Sequence, residues 1–319
     1  MVNVKATWDE NGASVELPLT LGTVQLGMPY GIANRTGQPD EGHASRILDA
    51  AVKGGISSFD TANKYGSAEK VLGDYFHDKK KPLIISKLYL TKENCTTLSE
   101  LEELIESGVN TSQEQLRIDR VPGMMLHSPD ILEKFGGKAT ELLLNQVKRG
   151  NLGKIGVSIM DFEVKGFNEI WKELQKDCFE IVQLPVNVMD QRMFASGAYE
   201  RLKDSGKLLF ARSIFLQGLF FLAPSDLPES LKEAGPWIER LRAFAESESM
   251  SVAQLAFSYI HHMPGIFSIV FGAETPEQVK DNVALLDTHE LSESTVRGLK
   301  QTFASVPDYI ITPLLWNRR

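Results

Sequence analysis

Hydrophobic positions along this chain fall into short unbroken runs, separated by stretches where they recur every three or four residues. The runs are Leu21–Leu26, Ile56–Asp60, Leu83–Lys87, Val121–His127, Lys154–Ser158, Ile181–Pro185, Leu208–Arg212 and Phe267–Phe271. The periodic stretches are Ala44–Lys53, Ala68–Phe76, Leu98–Leu116, Ala139–Arg149, Val164–Leu174, Ala198–Lys203, Ile238–Glu246 with Val252–His261, and Glu277–Leu286. An unbroken apolar run predicts a strand buried on both faces, as in a parallel sheet covered by helices, whereas alternation marks a strand with one wet face. Eight strand–helix units in 319 residues predict an α/β protein built as a closed (β/α)8 TIM barrel. The alternative is an open doubly wound sheet. That fold calls for G-x-G-x-x-G after its first strand, and Gly22-Thr23-Val24-Gln25-Leu26-Gly27 does not supply it.

The edges of the chain read differently. Val4, Ala6 and Trp8 alternate, Asp9-Glu10-Asn11-Gly12 has turn chemistry, and Val15 and Leu17 alternate again, which predicts a hairpin over 2–17. The expected organisation is one domain over 1–319: this hairpin, a barrel over 20–290, and a C-terminal helix and tail over 291–319. No Pro-, Gly- or Ser-rich linker divides it. Ser213 to Gly235, with Pro224 and Pro228, has few helix signals and predicts a long functional loop after the seventh strand. The tail from Pro307, with Tyr309, Pro313 and Trp316, reads as a second irregular segment.

Composition narrows the function classes. Apolar residues make up 42% and charged residues 24%, a mix suited to a soluble globular protein. The net charge of -8, with no basic stripe interleaved with aromatics, argues against nucleic acid. Lys79-Lys80-Lys81 reads as a solvated connection, and the evenly acidic surface predicts no particular oligomer. Cys95 and Cys178 match no metal spacing and suit a reducing compartment. The first residues lack the apolar core of a signal peptide, and no apolar run reaches the ~20 residues of a membrane helix. A cytoplasmic protein without a membrane span is expected. His261 and His262 are adjacent and cannot face one site, so no metal is expected.

The chemistry sits where the strands stop. In such a barrel the C-terminal strand ends share one face. Reading those ends gives Asp60 after the second run, Lys87 at the end of the third and His127 at the end of the fourth, with Tyr65 on the loop after Asp60. Packing does not ask for these residues, because each strand is otherwise apolar. A free phenol has a pKa near ~10 and donates poorly at neutral pH. A lysine beside it favours phenolate and lowers that value, and a carboxylate keeps the lysine charged and aimed. A histidine can hydrogen-bond a substrate oxygen. Together they predict Tyr65 as a general acid toward an oxyanion forming in the pocket.

Asp60-Thr61-Ala62-x-x-Tyr65-Gly66-x-x-Glu69-x-x-Leu72-Gly73 resembles the signature of the aldo-keto reductase superfamily. Ile85-Ser86-Lys87 and Leu126-His127-Ser128-Pro129 are similar to its lysine and histidine strands, in the same order, and the resemblance runs to Gly272-Ala273-Glu274-Thr275-Pro276-Glu277-Gln278. It implies hydride transfer between a nicotinamide cofactor and a small-molecule aldehyde or ketone. It also implies cofactor contacts: Gly22, Thr23, Val24 and Asp60 at the first two strand ends, and Ser158 and Gln183 on the carboxamide. Arg212, Ser213, Phe215, Gln217 and Gly218 would lie along the nicotinamide and pyrophosphate. Gly272, Ala273, Thr275, Gln278, Asp281 and Asn282 would lie at the adenosine end. NADP(H) is the favoured cofactor and NAD(H) the alternative.

The chain departs from the family pattern at three places. Ile159 stands where many members have Asn, so a carboxamide contact is missing. Arg212 stands where many have an aromatic that stacks on nicotinamide; a guanidinium can stack on a ring or face an acidic substrate. Gly272 and Gln278, with Glu274 close by, stand where NADPH-preferring members often carry cations. Met28, Tyr30, Tyr89, Asn187 and Trp316 lie on loops expected to ring the pocket. Asn187 and Arg212 point to a hydroxylated or acidic carbonyl compound, such as a sugar derivative. Two other functions fit the same residues: a Schiff-base aldolase with Lys87 as nucleophile, and a cofactor-binding regulatory subunit without turnover.

Overall fold

The computed structural model describes Trp8 and residues 17–32, 34, 37–160 and 162–318. Its eight strands are β1 (Leu19–Gly22), β2 (Ser58–Asp60), β3 (Leu83–Leu88), β4 (Val121–Leu126), β5 (Leu152–Ser158), β6 (Phe179–Pro185), β7 (Leu208–Arg212) and β8 (Ile266–Gly272). All pairings are parallel. Each strand pairs with the next and β8 pairs with β1, so the barrel is closed. Leu21 of β1, for example, lies opposite Phe59 of β2 on one side and Phe271 of β8 on the other. The barrel predicted from the unbroken apolar runs is therefore the observed fold, and the open sheet is not.

Both strand faces are buried, which is why the runs are unbroken. Ile84 and Leu88 of β3 join the large cluster shared with the surrounding helices. Ile85, between them, joins a smaller cluster with Met125, Ile181, Leu208, Phe210 and Val270, one residue or two from each of several strands. Trp8 and Leu17 pack into that smaller cluster. The rest of the predicted hairpin over 2–17 lies outside the described residues. Buried hydroxyls tie neighbouring strands together: Thr20 on β1 meets Ser58 on β2 at 2.8 Å and Ser268 on β8 at 2.7 Å.

The helices follow the sequence periodicity closely. Leu98–Leu116 and Val164–Leu174 have the expected bounds. Thr97 and Glu100 form a reciprocal capping box that starts the first of these, and Ser251 and Gln254 do the same for Val252–His261. Three expectations change. The first strand is Leu19–Gly22 rather than Leu21–Leu26, because Thr23 turns to bind the Asp60 carbonyl through both N (2.9 Å) and Oγ1 (3.0 Å). Val24–Gly27 then forms a single helical turn. The loop after β7 holds three short 3₁₀ turns, Leu216–Phe221, Pro224–Asp226 and Glu229–Ala234. The tail contains the helix Asp308–Ile311 and the 3₁₀ turn Pro313–Arg318.

Cys95 and Cys178 are free thiols. Among the described residues no helix is long and apolar enough to cross a membrane, and no group of His, Cys, Asp and Glu could hold a metal ion.

Candidate active site

The ends of β2, β3 and β4 bring Asp60, Lys87 and His127 to one rim, and the loop after β2 carries Tyr65 to the same place. Lys87 is fully buried. Its Nζ donates to Asp60 Oδ1 at 2.6 Å and Oδ2 at 2.7 Å, to the Thr61 carbonyl at 3.0 Å, and to Tyr65 Oη at 3.3 Å. Gln183 at the end of β6 donates from Nε2 to Asp60 Oδ2 at 2.7 Å, and Ser158 Oγ donates to Gln183 Oε1 at 3.4 Å. The Tyr65 and His127 rings meet edge to face with centroids 5.6 Å apart. The three strand-end residues and the loop tyrosine found in the sequence therefore converge.

The electrostatics follow from burial. Desolvation pushes the Tyr65 phenol above its ordinary value, the Asp60 carboxylate adds to the rise, and Arg212 opposes it. The sequence led us to expect a lysine-lowered phenol; burial outweighs that. Desolvation likewise pulls Lys87 below the usual lysine range, while its ion pair with Asp60 acts the other way. His127 is pulled down to about 3, first by burial and then by the nearby cations Lys87, Arg212 and Lys64. The imidazole is thus neutral at physiological pH. Its Nδ1 is buried without a partner among the described residues. A buried N–H left unpaired is costly, so the ring's proton belongs on Nε2, where it can be donated.

A cavity of about 1190 Å³ opens beside this rim. It reaches from Asp60, Tyr65 and His127, past Gly22, Val24, Arg212, Ser213, Phe215, Gln217 and Gly218, to Gly272, Gln278, Asp281 and Asn282. These are candidate cofactor residues, and they line one continuous space. Thr23, Ser158, Gln183, Ala273 and Thr275 are not on its wall; Thr23 is bound to Asp60, and Thr275 caps the helix Pro276–Ala284 by accepting from Gln278 N at 3.2 Å. The volume of the cavity suits a dinucleotide. So does an orphaned acceptor: Gln25 lines the cavity, and its buried Oε1 has no partner among the described residues.

Arg212 is held in place rather than free to swing. Its Nη2 donates to the Ile159 and Met160 carbonyls, both at 2.8 Å, and its Nη1 donates to Ser213 Oγ at 3.1 Å. No carboxylate pairs with it among the described residues. Beyond it the chain takes left-handed backbone at Ser213, Leu216 and Gln217, three non-glycine residues with φ of 61°, 47° and 53°. Such strain persists only where surrounding structure enforces it. Gln217 Nε2 donates to Tyr30 Oη at 2.9 Å, joining the loop after β7 to the loop after β1.

The substrate candidates divide. Tyr30 and Trp316 line the cavity, with Trp316 Nε1 bound to the Ile310 carbonyl. Asn187 lies on the wall, but its Oδ1 accepts from the Met189 and Asp190 amides at 3.0 and 3.1 Å and so shapes a turn. Tyr89 stacks edge to face on His127 at 5.8 Å, with Lys64 Nζ 3.5 Å from its ring centre, and is not on the wall. Met28 is also off the wall. Sequence reasoning missed the Asp190–Arg192 pair on the wall, joined at 2.7 Å, and the apolar rim residues Phe221 and Leu314. Loop side chains carry no periodic signal that would have marked them.

The comparisons with known proteins agree with this architecture. An uncharacterized oxidoreductase of Mycobacterium tuberculosis is 25% identical over 313 residues, covering 90% of this chain and 89% of that protein. The NADH-specific methylglyoxal reductase of Escherichia coli is 25% identical over 201 residues, covering 58% of this chain and 60% of that one. An aldo/keto reductase from Klebsiella pneumoniae, solved with NADP and acetate, superposes with a TM-score of 0.68 at 18% identity, over 94% of this chain and 95% of that one. The sequence profile of the aldo/keto reductase family matches residues 18–302. The chain therefore belongs to the aldo/keto reductase family and is a carbonyl oxidoreductase.

Proposed function

We propose that this enzyme reduces an aldehyde or ketone to the alcohol with Tyr65 as the proton donor. The observation that carries the reading is the chain of contacts from Asp60 through buried Lys87 Nζ to Tyr65 Oη, at 2.6 and 3.3 Å, with Asp60 and Tyr65 on the wall of the cavity. A reduced nicotinamide, when bound, supplies the hydride. This chain's residues do the rest. His127 Nε2–H donates to the carbonyl oxygen and orients it. Tyr65, kept protonated by burial, gives its proton to that oxygen as negative charge builds on it. Lys87 holds the phenol oxygen and stabilises the phenolate left behind. Asp60, itself held by Gln183, fixes Lys87 from the other side.

The aldolase alternative requires a neutral, uncommitted lysine. Lys87 spends its N–H groups on Asp60, Thr61 and Tyr65, which favours the reductase reading. Gly22, Val24, Arg212, Ser213, Phe215, Gln217, Gly218, Gly272, Gln278, Asp281 and Asn282 are the proposed cofactor residues. The family resemblance favours NADPH. NADH is a second reading, and a specific observation favours it: Glu274 and Asp281 line the adenosine end, while the cationic wall residues among those described, Arg192 and Arg212, lie elsewhere.

The test is Tyr65→Phe. It keeps the ring and loses the proton, so kcat should fall about 10²- to 10⁴-fold with cofactor affinity unchanged. Full turnover in that variant would remove Tyr65 as the donor.

A further inference from the structure

A second buried carboxylate lies directly behind the proton-donor site. Glu69 is in the first turn of the helix Ala68–Tyr75 and is only 5% exposed. No lysine, arginine or histidine pairs with it among the described residues. Its Oε1 accepts from Ser86 Oγ at 2.5 Å and Ser112 Oγ at 2.7 Å, and its Oε2 accepts from Asn63 Nδ2 at 3.2 Å. Asn63 Nδ2 also donates to Ser112 Oγ at 2.7 Å. The carboxylate thus gathers three separate elements: β3 through Ser86, the helix Leu98–Leu116 through Ser112, and the loop after β2 through Asn63.

Two of those partners adjoin the reacting groups. Ser86 precedes Lys87 on β3, with its side chain on the opposite strand face. Asn63 lies between Asp60 and Tyr65, and its backbone N–H donates to the Lys87 carbonyl at 3.1 Å. The same loop supplies the Thr61 carbonyl and the Tyr65 phenol to Lys87 Nζ. The Lys87–Tyr65 contact, at 3.3 Å, is already at the long end of a hydrogen bond. A slip of the loop by a fraction of an ångström would break it. Hydrophobic packing cannot enforce such a distance, because it is not directional. A carboxylate with three donors can.

We propose that Glu69 is a positioning residue that sets the separation of Tyr65 Oη from Lys87 Nζ, acting through Asn63 on one side and Ser86 on the other. The proposal rests on the reading of Tyr65 as proton donor. A glutamine at 69 has the same shape, but its amide nitrogen is a donor facing groups that are themselves donors. The loop must then shift or Asn63 must turn.

The experiment compares Glu69→Gln, Asn63→Ala, their double variant and Tyr65→Phe, each with a reactive aldehyde and saturating cofactor. Glu69→Gln should lower kcat about 10- to 100-fold, the scale of a misplacement near 1 Å. KM and the cofactor Kd should stay within about twofold, and the solvent deuterium isotope effect on kcat should rise as proton transfer becomes limiting. Asn63→Ala should do the same to a smaller degree. The double variant should be no worse than Glu69→Gln alone, since both act through one link. A kcat within twofold of the parent, losses that multiply in the double variant, or a fall in kcat matched by weaker cofactor binding would each overturn the proposal. If Glu69→Gln does not fold, an Asn63→Ala variant with full kcat overturns it equally. Should Tyr65→Phe keep its rate, the donor reading itself fails and this proposal with it.

Discussion

His127 shows how burial decides chemistry at a single residue. An imidazole titrates near ~6.5 in an unfolded chain and at about 3 here, because desolvation and three cations oppose its charge. The folded state therefore binds fewer protons than the unfolded state between those two values. Stability from the neutral ring is fully present above the unfolded value and is lost as pH falls toward the folded one. Melting temperature should decline as pH drops from 6.5 toward 4, and His127→Gln should make that decline shallower. Thermal scans of both proteins across that range check the sign; parallel curves would show that the ring is not held neutral. The same neutrality predicts that reductive kcat has no acid limb near pH 6.5, so a rate profile serves as a second measurement.

Two close backbone approaches shape the element that carries Tyr65. A Cβ on Gly27 would lie 1.8 Å from the Tyr65 carbonyl oxygen and 2.5 Å from Ala68 N, and one on Gly66, whose φ is 56°, would lie 2.2 Å from the Gly27 carbonyl oxygen. The turn Val24–Gly27 and the loop after β2 meet main chain to main chain, with Ser67 N donating to the Gly27 carbonyl at 3.3 Å. Gly27→Ala should push the loop outward. It should cost stability on the order of the 1–3 kcal/mol of an overpacked site and lower kcat more than it raises KM. Circular dichroism melts and steady-state kinetics test this, and a variant with parental Tm and kcat would show that the contact is soft. None of this contact was legible from the pattern of apolar residues. Asp60, Lys87 and His127 were legible because a charged or polar side chain ending an apolar strand stands out against its surroundings. The first strand was misread because Val24 and Leu26 prolong the apolar run, whereas its end is set by Thr23 bonding to Asp60 from 37 residues away. Asn187 and Tyr89 were read as substrate contacts because they sit on the right loops. Where a loop side chain turns depends on its packing: Asn187, on the wall, turns its Oδ1 to the amides of Met189 and Asp190 just after it, and Tyr89 packs against Lys64 and His127, distant in sequence.

At the scale of the whole molecule, the cavity draws on the loops after β1 and β7, the start of the last barrel helix and the tail, parts far apart in the chain. A ligand that fills it bridges segments that unfolding would separate, so binding and global stability are linked. A ligand at 100 times its Kd stabilises by about 2.7 kcal/mol, which for a chain of this length raises Tm by about 4 °C. Both NADPH and NADH should raise it, and the dinucleotide that binds more tightly should raise it further at equal concentration. The acidic wall at Glu274 and Asp281, the proposed adenosine end, supplies the discriminating variant. Burial already pushes the Glu274 carboxyl up, a mark of a group that is not freely solvated. Reversing its charge in Glu274→Lys should favour a 2′-phosphate by about tenfold, near 1.4 kcal/mol. The shift with NADPH should then grow by about 2 °C while the shift with NADH stays or falls. If neither shift changes, Glu274 does not face the ribose, and cofactor choice lies with Gln278, Asp281 or Asn282 instead. If neither dinucleotide stabilises the parent protein at all, the cavity holds some other ligand and the hydride chemistry proposed for this site is wrong.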